Sequence, residues 1–183
     1  MYKRQVLEHE KVTVRIYNDI GSYKDLTRHR FASFSVESTR YCSYDKDKYG
    51  NEISFMDPVY IEDEKVYEVW KKTMQDIENS YLEMKKLGAT TDMCRNILPH
   101  STAAEYTMTA NIREWKHIFE LRANNHVHPA IRQVMIPLLK YFKEQMPDIF
   151  GDIPYDEEFN PEYYAELRAV SYTHLRAHET AAN

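Results

Sequence analysis

The longest regular pattern in this sequence covers residues 62–87 and predicts one long amphipathic helix. Six apolar residues recur there at helical spacing, namely Val66, Trp70, Met74, Ile77, Tyr81 and Met84. Acidic residues at its start, Lys85 and Lys86 at its end and Gly88 beyond it fit the helix dipole and the usual helix stop. We interpret this helix as a scaffold element, so the chemistry must come from other segments.

Two shorter segments have the alternating pattern of half-buried strands. Val12, Val14 and Ile16 alternate with polar neighbours, and residues 106–111 alternate in a similar way. After the first strand, Ser22 is placed to cap a short helix. Residues 41–58 are polar, rich in tyrosine and aperiodic, which predicts a long loop of the kind that is usually functional or mobile.

Three more helices are predicted in the second half of the chain. Residues 91–95 form a short one, and residues 112–123 form another with apolar residues on one side. Residues 129–146 form the third, in which Pro137 should produce a kink. After Pro147 the chain is acidic and dotted with prolines, which predicts a surface extension. Helices mixed with strands, without an internal repeat, indicate a single α/β domain.

Composition excludes several functional classes. The 183 residues suit one domain, 43% are hydrophobic, and no run of about eighteen apolar residues predicts a membrane span. A net charge of −5 makes nucleic acid a poor general partner, because that binding depends on phosphate neutralisation. Two cysteines, Cys42 and Cys94, form no disulfide framework and fit a reducing cytoplasm. With four glycines and no Gly-x-Gly-x-x-Gly fingerprint, a conventional Rossmann dinucleotide site is excluded.

Residues 28–41, which read RHRFASFSVESTRY, concentrate cations in an otherwise acidic chain. Three arginines, a histidine and Ser38 lie within this one segment. Guanidinium is a planar donor fork that grips phosphate and carboxylate oxygens two at a time. Neighbouring arginines repel one another, so an anion that draws them into one pocket is the natural inference. A solvated loop with scattered charges is the alternative that composition leaves open.

Four blocks, in this order, make the sequence resemble the flavin-dependent thymidylate synthases. The resemblance covers roughly residues 5–146 and depends on the ordered set, since each block alone is a weak signal. The blocks are LEH at 7–9, RHR at 28–30 with ESTRY at 37–41, RNILP at 95–99, and NIR at 111–113 with LRA at 121–123.

The resemblance implies a fold and an activity. The fold is a single α/β (α+β) domain in which a small, mostly antiparallel sheet is packed by helices. The activity is reductive methylation of dUMP to dTMP, with methylene-tetrahydrofolate as carbon donor and FAD, reduced by NADPH, as hydride source. The partners are therefore dUMP, folate and NADPH, and the family assembles as a homotetramer that holds FAD across subunit boundaries. No metal, nucleic acid or membrane is implied.

The family pattern also assigns residues to each ligand. For FAD it implies Gln5, Glu8, Arg28, His29, Arg30, Asn111, Arg113 and His117. For dUMP it implies Asp25, Arg28, Glu37, Ser38, Thr39, Arg40, Arg95 and Arg122. Arg122 is the implied catalytic residue, since the matching family arginine polarises the pyrimidine and favours its ionisation at N3. Ser38 is implied to bind rather than to act as a nucleophile.

Two positions depart from the family pattern, and Arg95 has a second interpretation. Asp25 stands where relatives carry Gln or Glu, and Ser35 stands where Asn is common. Either change alters nucleotide contacts without removing the motif. Arg95 could equally compensate the dipole at the end of its short helix.

Two functions from other classes are rivals. One is a metal hydrolase built on His117, His126 and His128, a weak ligand set because no glutamate is placed as a base. The other is an inactive fragment that binds nucleotide or flavin without turnover. The second follows from the ends of the chain, since only six residues precede Leu7 and the start therefore resembles a truncated family member.

The C-terminal residues 169–183 resemble the translation of a transposon-type sequencing adapter. The segment AVSYTHLRAHET carries the resemblance. We therefore expect residues 1–168 to form the enzyme domain, incomplete at its N-terminus, and residues 169–183 to be a non-native tail.

Overall fold

A small antiparallel sheet lies at the centre of the computed structural model, which describes residues 2–37 and 52–168. Its strands are β1 (Lys11–Asp19), β2 (Ala32–Val36) and β3 (Ala103–Asn111), in the order β1-β3-β2. Both neighbours run antiparallel to β3, and Met108 is paired with Val14 on one side and Phe34 on the other. The α/β class is therefore confirmed, as are the two predicted strands.

Six helices and three 3-10 turns surround or extend this sheet within the described residues. The helices are α1 (Ile20–Leu26), α2 (Glu64–Lys86), α3 (Thr91–Cys94), α4 (Ile112–Arg122), α5 (Pro129–Gln145) and α6 (Pro147–Phe150). The 3-10 turns are Tyr2–Glu8, Arg95–Ile97 and Pro161–Tyr163. The long helix and the helices predicted near 91, 112 and 129 are all present.

The core lies between one face of the sheet and helices α4 and α5. In β3 every second residue is buried, and the buried set is Ala104, Tyr106, Met108 and Ala110. Trp115, Ile118 and Phe119 of α4 meet them from the helix side and are fully buried. The strand thus buries alternate residues and the helix buries one face, as the sequence periodicities of these elements predict.

The predicted cap of α1 is wrong. Asp19 is the N-cap residue, and its carboxylate accepts a hydrogen bond from the backbone N–H of Ser22. Ser22 lies inside the helix and is buried. Both residue types are good N-caps, and the strand simply continues as far as Asp19, which shifts the helix start.

Helix α2 is more exposed than its apolar pattern suggests. Only Met74 and Tyr81 are buried, whereas Val66 is 53% exposed. Tyr81 packs with Ile53 and Cys94 in a second, smaller cluster apart from the main core. The helix ends as predicted before Gly88, which adopts a φ of +90°.

The segment after Pro147 is not the surface extension that its composition predicts. Phe150, Ile153 and Phe159 are buried in the main core. The backbone N–H of Ala165 also donates a hydrogen bond of 2.8 Å to the carbonyl of Gln133 on α5. This segment is rich in acidic residues, so its composition does not indicate that a few apolar residues are buried.

No helix within residues 2–37 and 52–168 is long and apolar enough to cross a membrane. The predicted loop at 41–58 falls largely outside the described residues. Of its described part, Phe55 forms an isolated antiparallel bridge with Thr102.

Candidate functional site

A cleft of about 830 Å³ lies where the first 3-10 turn, the 28–31 turn and α4 meet. Its volume is within the range of about 300–1,000 Å³ that is typical of small-molecule sites. The lining residues are Leu7, Glu8, Arg28, His29, Arg30, Phe31, Asn111, Arg113, Glu114, Lys116, His117, Glu120, Leu121 and Arg122.

Helix α4 supplies half of the lining residues because its two faces are clearly divided. Trp115, Ile118 and Phe119 point into the core, and the Trp115 indole donates a hydrogen bond of 3.1 Å to the carbonyl of Val12. Asn111 caps the helix by accepting from the N–H of Glu114 at 2.8 Å. With the core face fixed in this way, the opposite face is presented to the cleft.

A tight turn after α1 carries the Arg-His-Arg triplet to the cleft. The His29 N–H donates to the carbonyl of Leu26 at 3.0 Å, and the Ala32 N–H donates to the carbonyl of His29 at 3.2 Å. His29 is 6% exposed, whereas Arg28 and Arg30 are exposed. The triplet therefore buries its imidazole and presents two guanidiniums to solvent.

Arg122 is held in place at two points. Its Nε donates to Nε2 of His29 at 3.1 Å, and its Nη2 donates to the backbone carbonyl of Asp25 at 3.0 Å. The side chain is thus tied to the turn that carries the triplet. Of the three guanidinium nitrogens, Nη1 makes no hydrogen bond to the described residues.

Burial and neighbouring cations shift the ionisation of the groups around Arg122. Desolvation, with Arg122 and then His117 as further causes, lowers the pKa of His29 to about 4. Desolvation raises the pKa of Glu114, whose Oε1 lies 3.4 Å from Nδ1 of His29. The His117 ring lies edge-on to His29, with centroids 5.9 Å apart. His29 is therefore neutral at neutral pH.

The cations of the cleft differ in how they are paired. Arg113 forms an ion pair with Glu8, and Lys116 is held by Asp152 and by the carbonyl of Ile149. Arg28 and Arg30 have no ion pair with any described residue. These two exposed guanidiniums give the cleft mouth a local positive charge in an acidic chain.

The structure brings together eight of the residues that the family pattern assigns. Glu8, Arg28, His29, Arg30, Asn111, Arg113, His117 and Arg122 all line the cleft. The remaining assigned residues of the described part do not, namely Gln5, Asp25, Glu37 and Arg95. Ser38, Thr39 and Arg40 lie outside the described residues.

Asp25 and Arg95 have clear alternative environments. Asp25 contributes its backbone carbonyl to Arg122 rather than its side chain to the cleft. Arg95 is the C-cap of α3, exposed, with Nη1 3.8 Å from the carboxylate of Asp92. The position of Arg95 at a helix end agrees with its second interpretation, helix-dipole compensation.

Sequence reasoning missed the contributions of several lining residues. These are Phe31, Glu114, Lys116 and Glu120, with Leu7 and Leu121 noted only as motif neighbours. Glu114 is the most consequential, because a 9% exposed carboxylate side chain faces His29. Its place three residues after Asn111 suggests a helix-capping box, so the sequence gives no direct signal of a role in the cleft.

The histidines considered for a metal site are not gathered. His117 lines the cleft, while His126 and His128 do not. Over the part of the chain that the structure describes, no group of three or more metal-ligating side chains is assembled.

Comparison with known proteins shows which family this chain resembles. The family described as "Thymidylate synthase complementing protein" matches residues 2–148. A flavin-dependent thymidylate synthase of Thermococcus onnurineus is 31% identical over 159 residues, which is 85% of this chain and 59% of the relative. The synthase of the same name from Pyrococcus abyssi is 35% identical over 116 residues, or 63% of this chain and 47% of the relative.

A third relative, the flavin-dependent thymidylate synthase of Corynebacterium diphtheriae, is 28% identical over 163 residues and covers 80% of this chain. The chain spans about half to three fifths of the length of these curated relatives. Because the family match extends over most of the chain and includes every segment that forms the cleft, the chain belongs to the thymidylate synthase complementing protein family, that of the flavin-dependent thymidylate synthases.

Proposed function

We propose that this chain forms the active domain of a flavin-dependent thymidylate synthase. The reaction is reductive methylation of dUMP to dTMP, with methylene-tetrahydrofolate as carbon donor and FAD reduced by NADPH. The observation that carries the proposal is that eight residues assigned from separate sequence blocks meet in one cleft. The names of the relatives support the same activity.

The residues of the cleft fit FAD by their chemistry. Arg28, Arg30 and Arg113 offer guanidinium donors for a diphosphate, and guanidinium suits such oxygens better than ammonium does. Asn111 and His117 add further polar groups. When bound, FAD supplies hydride transfer, a chemistry that no side chain of the protein offers.

Arg122 is the residue we propose to act on the pyrimidine. A guanidinium held at Nε and Nη2 is already oriented, so its remaining donors meet developing negative charge without reorganisation. The same fixed positive charge favours ionisation of the ring at N3. Because His29 is neutral, Arg122 alone carries the positive charge of the His29–Arg122 pair.

We propose that the dUMP site is completed between subunits of a homotetramer. Arg95 is exposed and outside the cleft, and its nearest carboxylate among the described residues is 3.8 Å away. An exposed arginine of this kind is available to a nucleotide held mainly by another copy. The assigned residues Asp25, Glu37, Ser38, Thr39 and Arg40 would complete the same site.

The proposal is tested by comparing Arg122→Ala with Arg168→Ala, an exposed arginine outside the cleft. Wild type and Arg168→Ala should bind FAD and form dTMP, whereas Arg122→Ala should keep the flavin absorbance and lose turnover by at least about a hundredfold. Near-normal turnover of Arg122→Ala would reject its role. Flavin or nucleotide binding without dTMP formation in the wild type would favour the alternative, an inactive binding fragment.

A further inference from the structure

Three side chains of the cleft lining, those of Glu114, His29 and Arg122, form a chain of contacts. Glu114 Oε1 lies 3.4 Å from Nδ1 of His29, and Nε2 of His29 accepts a hydrogen bond of 3.1 Å from Nε of Arg122. The side chains of Glu114 and His29 are 9% and 5% exposed. Glu114 has no other ion pair within the described residues.

The hydrogen-bond directions in this chain follow from Arg122. A guanidinium can only donate, so Nε2 of His29 must be unprotonated. A neutral imidazole has one N–H, and it must then be on Nδ1, the nitrogen that faces Glu114. The Glu114 carboxylate therefore faces the His29 N–H as a possible acceptor, because a histidine that accepted at both nitrogens would have lost both protons.

Helix capping does not account for the position of the Glu114 carboxylate. In a capping box this carboxylate would accept from the N–H of the cap residue, Asn111. Here the contact of the carboxylate is with His29 on a different element, and the cap is made by the Asn111 side chain. Burial of a carboxylate is unfavourable unless it is hydrogen-bonded, so this placement calls for a partner such as the His29 N–H.

We propose that Glu114 is a positioning residue, which fixes the Nδ1–H tautomer of His29 and thereby orients Arg122. The inference rests on the proposed function, since it concerns the arginine assigned to the pyrimidine. Loss of Glu114 would free the imidazole to take up the Nε2–H tautomer. That tautomer cannot accept from Nε of Arg122, so the guanidinium would lose one of its two anchoring points.

The tautomer can be read directly by nitrogen-15 NMR of the full chain, without any assay of turnover. In the wild type His29 should show the Nδ1–H pattern, and Nε–H of Arg122 should exchange slowly with water. In Glu114→Ala the Nδ1–H pattern should be lost and the exchange of Nε–H should become about tenfold faster. Glu114→Gln keeps an acceptor oxygen of the same reach and should restore both signals.

Glu144→Gln, an exposed glutamate on α5, is the matched control and should leave both signals unchanged. An Nε2–H tautomer in the wild type would overturn the proposal, even if the Glu114 variants fail to fold. So would an unchanged tautomer in Glu114→Ala.

Turnover provides a second, separate test. If the wild type forms dTMP, kcat should fall about tenfold in Glu114→Ala and recover in Glu114→Gln, with the KM for dUMP changing less than kcat. A full kcat in Glu114→Ala would show that Arg122 does not need this support and would contradict the proposal. A wild type without turnover counts against the proposed function alone, because the NMR result still decides the positioning role.

Discussion

His29 is a buried histidine whose neutral form the fold requires, and this makes stability depend on pH. The pKa is lowered from 6.5 to about 4, so between these values the unfolded chain binds more protons at this residue than the folded chain does. The contribution of His29 to the free energy of unfolding is therefore fully present above pH 6.5. It is lost as the pH falls towards 4, and the loss is roughly 3 kcal/mol at most. Chemical denaturation at a series of pH values measures this loss.

The control for this prediction is His29→Gln, which cannot titrate in that range. The raised pKa of Glu114 acts in the opposite direction, since that carboxyl gains a proton more readily in the folded state. The informative quantity is therefore the difference in the free energy of unfolding between wild type and His29→Gln. A difference that stays constant from pH 6.5 to pH 4 would contradict a buried, neutral His29.

Sequence motifs identify more than half of the residues that line the cleft. They do not identify the contacts that these residues make with one another. Arg28, Arg113 and Arg122 belong to the motifs and line the cleft. Glu114 was missed because its burial depends on how the 28–31 turn packs on α4, a contact between residues far apart in sequence. The backbone carbonyl of Asp25 accepts a hydrogen bond from Arg122, a contact that the motif does not predict.

At the scale of elements, Asn111 connects the stability of α4 to the cleft. Its side chain caps the helix and also lines the cleft. Asn111→Ala should destabilise the protein by about 1 kcal/mol, whereas Asn111→Asp, an equally good cap, should retain stability. We expect both variants to weaken FAD binding, the second because a new negative charge meets the diphosphate. Thermal unfolding measures the effect on stability, and flavin titration measures the effect on FAD binding. Equal destabilisation by both variants would refute the capping role.

An ion pair between Arg132 of α5 and Asp156 stabilises the packing of the segment after α5 against that helix. Their side chains are 15% and 7% exposed, and the Arg132 guanidinium also lies 4.6 Å from the centre of the Phe159 ring. Asp156→Asn leaves a mostly buried arginine without its counter-charge and should cost about 3 kcal/mol of stability.

Glu166→Gln is the matched control for Asp156→Asn. It breaks an ion pair with Arg168 in which both partners are more than 70% exposed, so water already screens the pair and the free energy of unfolding should hardly change. Urea unfolding measures both variants. Equal losses would mean that the segment is not held by its buried pair.

Strong periodicity predicts the elements, and the end of α2 before Gly88, but not their packing partners or the cap of α1. Strand β1 and helix α4 match their patterns because each buries one side of a regular repeat. The sequence predicts Ser22 as the cap of α1 where the structure has Asp19, since both residues can cap and only the strand length decides between them. The burial of Phe159 depends on a docking surface that α5 provides, which local sequence cannot reveal.

At the scale of the whole molecule, we predict assembly into a homotetramer when FAD is bound. The cleft is bordered by exposed apolar side chains, with Phe31 83% and Leu121 45% exposed, which a neighbouring subunit would cover. Light scattering coupled to size exclusion should give a mass near four times 21.9 kDa under flavin saturation. A monomer of 21.9 kDa that binds FAD fully would show that one copy suffices.

The central claim, that this cleft binds FAD next to dUMP, is tested most directly by an absorbance spectrum. The protein is reconstituted with FAD, freed of excess cofactor and titrated with dUMP. The account predicts a stoichiometric bound flavin whose visible bands shift as dUMP is added, and an Arg28→Ala variant in which binding is weakened. A folded protein that retains no flavin would contradict the account.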